Sequence, residues 1–147
     1  MRLPERTVAP KKRNETTQLV QPIIRALNRL PGVRVARNAN LGPVVPWAQR
    51  WVEDARPIVA GLGTGSADIV GIVDVNAGTM MRETPWGRAF ALEVKLPAAP
   101  GLRAGTLAKD QARWAAAFVR FGGFCCVVHS IAEACAAVER CRAGHAE

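Results

Sequence analysis

Arg88-Ala-Phe-Ala-Leu-Glu-Val-Lys95 is the stretch that decides the fold of this chain. Successive residues of a strand point to opposite faces of a sheet, which gives this stretch one apolar face, formed by Phe90, Leu92 and Val94. Glu93 and Lys95 share the other face, roughly 7 Å apart at about 3.3 Å per residue. We therefore predict a core strand on which a carboxylate and an ammonium group lie side by side, able to hold a cation and orient a water molecule.

A simpler interpretation is that Glu93 and Lys95 lie on a solvated outer face of the sheet and form a weak surface ion pair. The upstream sequence favours the cation site, because a glycine-rich loop, Gly61–Ser66, leads to Asp68 at the start of a β-branched run. Asp68 and Glu93 together offer the carboxylate oxygens that magnesium-type cations prefer. The glycines come before a strand, whereas a dinucleotide-binding loop follows one, so we disfavour a nucleotide-cofactor enzyme. We expect them instead to permit a close backbone approach near Asp68.

Composition indicates a single folded domain with a polyanionic partner. The chain has 147 residues, 49% of them hydrophobic, and a formal charge of +8 with a pI near 10.4. Such a charge favours nucleic acid as the partner, with plain solubility as the alternative. Residues 1–13 are predicted to be a flexible basic arm, and residues 14–147 the domain. With no signal peptide, membrane-length apolar run or Cys-x-x-Cys pair, we expect a cytoplasmic protein of bacterial, phage or nucleoid-associated context, with reduced core cysteines and no zinc site.

The hydrophobic periodicity predicts seven elements in the order αβββαβα. The first helix runs from Asn14 as cap to Pro31, and Pro22 predicts either a kink or a later start. Three strands follow, at 33–37, 69–73 and 88–95, and the last two are predicted to be antiparallel. A helix at 106–121, capped by Thr106, then leads to a strand at 124–128. The capping box Ser130–Glu133 opens the last helix, with Ile131, Cys135 and Val138 facing inward.

Three features have two interpretations each. Glu15 is either an acidic partner of the helix dipole or a group directed at the cation. Gln111, on an otherwise apolar helix stripe, either ties down a loop or points over the sheet towards the acid–lysine face. The long connection 39–60 carries Trp47 and Trp51, which either cover the core or contact a partner.

The combined pattern resembles a VRR-NUC domain, a branch of the PD-(D/E)xK nuclease superfamily. The residues that carry the resemblance span nearly the whole chain: Glu15, Arg37-Asn38, Gly65-Ser-Ala-Asp68, Glu93-Val-Lys95, Gly105-Thr-Leu-x-x-x-Gln111-x-x-Trp114 and Gly122-Gly-x-x-x-Val-Val-x-Ser130. One departure is Val127-Val128-His129, which stands where the family has its Val-Arg-Arg signature.

The resemblance implies an α/β fold with a PD-(D/E)xK core, in which helices flank a mixed central sheet. It also implies a Mg²⁺ or Mn²⁺ site formed by Asp68, Glu93, the carbonyl of Val94 and Glu15. Lys95 would activate the attacking water, and Gln111 would support the site. The implied function is a DNA endonuclease, structure-specific for branched, flapped or junction DNA and acting as a homodimer like Holliday-junction resolvases.

Basic side chains along the chain are candidates for contacts with the phosphate backbone. They are Arg25, Arg29, Arg34, Arg37, Lys109, Arg113 and Arg120, with Asn38 as a further nucleic-acid contact. The alternative function is a nucleic-acid-binding module that keeps the fold without catalysis, which the altered Val-Val-His segment favours. The presence of all the acidic and lysine positions favours the nuclease.

Overall fold

The computed structural model describes residues 16–38, 62–75, 87–101 and 103–145. A π-helical turn, Thr16–Val20, leads directly into the first α-helix. The elements are α1 (Gln21–Leu27), β1 (Val33–Arg37), β2 (Ile69–Asp74), β3 (Gly87–Val94), α2 (Lys109–Arg120), β4 (Phe124–Val128) and α3 (Ile131–Arg142). Within the described ranges, the predicted order αβββαβα is confirmed.

The four strands form one mixed sheet in the order β1-β2-β3-β4. β2 pairs antiparallel with both β1 and β3, whereas β4 pairs parallel with β3. A parallel pair needs a crossover connection, and α2 supplies it. Because α2 returns along the sheet, its first turn lies at the end of the sheet where β3 finishes. The protein is thus an α/β fold with a four-stranded mixed sheet.

The main core lies between the sheet and the helices α1 and α3. The three apolar residues predicted to share one face of β3 all belong to it and are completely buried: Phe90, Leu92 and Val94. A smaller cluster fills the opposite face, where Ala91 and Cys125 pack against Trp114 and Phe118 of α2. Helices therefore cover both faces of β3, and Glu93 lies on the face that α2 covers.

Arg88 anchors the beginning of β3 to the ends of two helices. Its guanidinium donates to the carbonyl oxygens of Gly122, Cys141 and His145, at 3.3, 3.3 and 2.6 Å. Positive charge near the carboxyl end of a helix is favourable, because the last carbonyl groups have no partner within the helix. One side chain thus connects the central strand with α2 and α3.

Both α1 and α2 begin several residues later than the hydrophobic periodicity predicts. α1 begins at Gln21, and Pro22 occupies its first turn, so the proline starts the α-helix and does not kink it. The predicted cap at Thr106 is wrong, because α2 begins at Lys109. The side-chain carbonyl of Gln111 accepts a hydrogen bond from the Ala108 amide at 2.9 Å and closes this first turn.

The predicted cap of α3 is confirmed, since the Ser130 hydroxyl accepts from the Glu133 amide at 3.1 Å. The prediction that Ile131 faces inward is wrong: 42% of it is exposed. The buried side of α3 consists of Ala134, Ala137, Val138 and Cys141. The two alanines are small enough for the helix to pack closely on the sheet.

Several predictions concern residues outside the described ranges. They include the basic arm 1–13, Asn14 and Glu15, and the whole 39–60 connection with Trp47 and Trp51. All four cysteines are free, and the predicted core position is confirmed for Cys125 and Cys141. Within the described ranges, no helix has both the length and the apolar character needed to cross a bilayer.

Burial predicts effects of very different size for two phenylalanines. We expect Phe90→Ala to lower the free energy of unfolding by about 3–5 kcal/mol, because it leaves a cavity in the main core. Phe121 is 81% exposed, so Phe121→Ala is the control and should change stability by less than about 0.5 kcal/mol. Urea unfolding measures both. Equal losses would contradict the assignment of the core to the α1–α3 side of β3.

Candidate functional site

Four chain segments meet at the end of the sheet where β3 finishes. The register pairs Ile69 at the beginning of β2 with Leu92 near the end of β3, and with Arg37 at the end of β1. The first turn of α2 lies over the same end, because Gln111 reaches the side chain of Glu93. Residues far apart in the sequence are thereby brought to one location.

Glu93 is the centre of this site. It is only 3% exposed, and its Oε1 atom lies 2.7 Å from the Lys95 ammonium nitrogen. The side-chain amide of Gln111 donates a hydrogen bond to the same oxygen. A buried carboxylate needs such partners, because its desolvation is otherwise too costly. The solvated-face interpretation is therefore wrong for Glu93, and Gln111 points towards the acid–lysine face while also closing its own helix turn.

Asp68 is held against the same strand. Its Oδ2 atom accepts a hydrogen bond from the Val94 amide at 3.0 Å. Extending the β2–β3 register by one residue places Asp68 opposite Glu93, and directly opposed residues in an antiparallel pair have their β-carbons about 5 Å apart. Asp68, which directly precedes β2, and Glu93 of β3 are therefore brought to the same end of the sheet. Val94 contributes its amide to Asp68, next to the carbonyl that was predicted to bind metal.

The loop before Asp68 is fixed by Asn38 rather than left open. The Asn38 amide nitrogen donates to the Ser66 hydroxyl at 2.7 Å and to the Ala67 carbonyl at 2.8 Å, and its oxygen accepts from the Leu62 amide at 3.1 Å. Asn38 is 8% exposed. These bonds occupy its amide within the chain, so we reassign Asn38 from a nucleic-acid contact to the positioning of the loop that carries Asp68.

Gly65 explains why this loop is rich in glycine. A β-carbon at this position would lie 2.5 Å from the Asp110 carbonyl oxygen, and its φ angle is +82°. Only glycine combines that backbone conformation with so close a contact. The predicted close approach is present, and its partner is the first turn of α2.

The predicted basic contacts are spread over the molecule. Three belong to segments at the Glu93 end of the sheet: Arg37, Lys109 and Arg113. Arg25 lies on α1 and Arg29 in the turn that follows it, on the opposite side of the sheet, whereas Arg34 and Arg120 lie towards the other ends of β1 and α2. All seven are exposed. The site itself thus adjoins only part of the predicted set.

Two residues that the sequence analysis did not assign to the site lie beside it. His129 Nδ1 lies 3.1 Å from the Lys95 carbonyl oxygen, and because a carbonyl only accepts, Nδ1 donates. Burial raises the pKa of the Cys125 thiol to about 11, with a further contribution from the Glu93 charge. The thiol therefore stays protonated at neutral pH. Neither neighbour was predictable, because the parallel β3–β4 register that brings them here depends on the crossover.

A cavity of about 50 Å³ extends beneath Glu93, between the sheet and α2. Glu93 and Gln111 contribute to its polar end, and Trp114, Ala115 and Cys125 to its apolar side. Such a space accommodates water but no larger ligand. A binding site for a substrate must therefore lie outside it.

The donor set suits a hard divalent cation. Asp68, Glu93 and Lys95 together carry one negative charge in excess, and carboxylate oxygens are the preferred ligands of Mg²⁺ and Mn²⁺. Among the described residues, no group of three or more His, Cys, Asp or Glu side chains forms a ready cage. The third predicted acid, Glu15, lies outside the described ranges. A cation here would use two carboxylates and retain several waters, as Mg²⁺ commonly does.

The burial of Glu93 predicts strong coupling with Lys95. We expect Lys95→Ala to lower the free energy of unfolding by about 2–3 kcal/mol, because it leaves a buried carboxylate without its cation. Adding Glu93→Gln should recover part of this loss, and a double-mutant cycle with urea unfolding measures the coupling.

The control for this cycle is the exposed pair Arg113–Asp110, whose side chains are 82% and 61% accessible at an N–O distance of 3.6 Å. Arg113→Ala should cost less than about 0.5 kcal/mol. If Lys95→Ala is equally mild, the Glu93–Lys95 pair contributes no more than a surface ion pair.

Comparison of the chain with protein-family models, curated proteins and solved structures finds no significant match in any of the three.

Proposed function

We propose that the protein is a divalent-metal-dependent nuclease that hydrolyses DNA phosphodiester bonds. The observation that carries the proposal is the buried Glu93 carboxylate, which shares one oxygen between Lys95 and Gln111 and directly precedes Val94, whose amide binds Asp68. Burying this charge costs stability, and an apolar pair of similar volume is often at least as stable. A chemical role accounts for its presence at an end of the sheet where three strands and a helix converge.

Asp68 and Glu93 would hold the Mg²⁺ or Mn²⁺ ion, with the Val94 carbonyl as a third ligand. The ion supplies Lewis-acid stabilisation of the charge that develops on the phosphate. Gln111 fixes the Glu93 carboxylate through its amide, and Asp68 is fixed by the Val94 amide. Lys95 orients the attacking water with its ammonium group, next to Glu93.

Charge supports DNA as the substrate. The chain carries a formal charge of +8, and Arg37, Lys109 and Arg113 belong to the segments around the site. Phosphate contacts of this kind position a nucleic acid without reading its sequence. A branched or flapped substrate and a homodimeric assembly remain part of the proposal, and they rest on the resemblance to VRR-NUC domains.

The first test measures cleavage with a panel of duplex, single-stranded, flapped and branched DNAs, each with Mg²⁺, Mn²⁺ or a chelator. We expect metal-dependent cleavage, and we expect Asp68→Asn and Glu93→Gln to reduce the single-turnover rate by at least about 100-fold. Glu139→Gln is the matched control, because Glu139 is an exposed acid on α3, away from the site, that forms an ion pair with Arg142.

Two outcomes contradict the proposal in different ways. Cleavage at the wild-type rate by Asp68→Asn or Glu93→Gln overturns the assignment of the site. Binding of DNA without cleavage under every metal condition favours the alternative, a nucleic-acid-binding module on the same fold.

The second test concerns the geometry around Lys95. A β-carbon at Gly105 would lie 3.1–3.4 Å from the methylene stem of Lys95, so the side chain is closely confined. We expect Lys95→Arg to fail to restore cleavage, because the guanidinium is larger, planar and effectively never deprotonated. Single-turnover rates for Lys95→Ala and Lys95→Arg, with metal binding followed by calorimetry, make the comparison. Full activity in Lys95→Arg would show that Lys95 contributes only a fixed positive charge.

A further inference from the structure

An open groove lies between α2 and the loop that leads to Asp68. Its volume is about 410 Å³, and it is lined by Thr64, Asp110, Arg113, Trp114 and Ala117. This volume is within the range of about 300–1,000 Å³ that is typical of ligand sites. Thr64 belongs to the loop that leads to Asp68, and Gly65 beside it packs on the first turn of α2. The groove therefore adjoins the candidate site on both sides, through the loop before Asp68 and through α2.

Trp114 contributes to the lining of both this groove and the buried cavity. The ring stacks on Phe118 with centroids 4.9 Å apart and planes inclined by 16°. Such stacking fixes the orientation of the indole before anything binds. The groove thus offers a pre-positioned aromatic surface, and little ordering of the side chain is needed on binding.

Positive charge borders the same groove. The Arg113 side chain is 82% accessible and forms an ion pair with Asp110 at an N–O distance of 3.6 Å, and the Asp110 side chain is 61% accessible. So exposed a pair costs little to separate. Lys109 lies one turn before Arg113 and on the same side of the helix, since residues at i and i+4 are neighbours. An anionic group can therefore be bound beside the indole.

We propose that this groove binds an unpaired nucleic-acid strand, with one base against Trp114 and the adjacent phosphate at Arg113 and Lys109. The proposal rests on the proposed nuclease function and adds to it the part of the substrate that contacts α2. Aromatic rings next to positive charge form the usual platform for single strands, because every base has a π-face. In a duplex both faces of each base are already stacked, so a duplex gains only the phosphate contacts.

The test compares two substitutions on adjacent exposed alanines of α2. Ala117→Glu places a side chain in the groove, whereas Ala116→Glu adds the same charge within one turn of Arg113 but outside the groove lining. Binding of the full chain to a fluorescent oligothymidylate and to a blunt duplex of equal length is measured by anisotropy, with a chelator present to prevent cleavage. We expect Ala117→Glu to weaken oligothymidylate binding by about tenfold or more relative to Ala116→Glu. Duplex binding should change equally in both variants.

A second measurement locates the strand directly. An oligonucleotide that carries 5-iododeoxyuridine is photo-crosslinked to the chain, and the modified residue is identified by mass spectrometry. We expect the crosslink at Trp114, with a reduced yield in Ala117→Glu and an unchanged yield in Ala116→Glu. Equal loss of affinity in the two variants, or crosslinks only elsewhere, would overturn the proposal.

The two proposals fail in distinguishable ways. If cleavage is absent under every metal condition but Ala117→Glu selectively weakens single-strand binding, the groove stands and the nuclease assignment fails. If metal-dependent cleavage is found and the two alanine variants bind oligothymidylate alike, the nuclease stands and the groove assignment fails.

Discussion

The burial of the Glu93 carboxylate is the constraint on which the rest of the site depends. It has 3% of its surface exposed, and one of its oxygens is held by both Lys95 and Gln111. The Lys95 bond is made along the same strand, whereas the Gln111 bond joins β3 to α2. A carboxylate placed here without these partners would face a large desolvation cost. The position of the first turn of α2 and the chemistry of the site are thus determined together.

A second set of contacts brings Asp68 to the same location. Asn38 ties the end of β1 to the loop 62–67, and Gly65 lets that loop pack against the backbone of α2. The Asp68 carboxylate then accepts from the Val94 amide. Each contact links segments that are distant in the sequence. The loop is consequently oriented by side chains that have no direct part in the proposed chemistry, which accounts for the role of Asn38.

The same first turn of α2 also shapes the surface of the molecule. Trp114 lines both a buried cavity and an open groove, and its ring stacks on Phe118. Arg113 and Lys109 lie on the outer side of the helix, where charge remains available to a partner. The helix that supports Glu93 from within thus presents an aromatic and cationic surface to the outside. This arrangement joins the proposed reaction site to the proposed strand-binding groove.

The alternation of β3 determined by itself which face is apolar, and the order of charged residues directed attention to Asp68, Glu93 and Lys95. Local sequence patterns suffice there, because a strand repeats every two residues whatever surrounds it. The start of α2, the inward face of α3 and the engagement of Asn38 were decided only by tertiary structure. So were the proximity of Cys125 and His129 to the site and the groove beside Trp114. These features depend on the parallel β3–β4 register and on how closely α2 packs, which are long-range contacts that no local periodicity encodes.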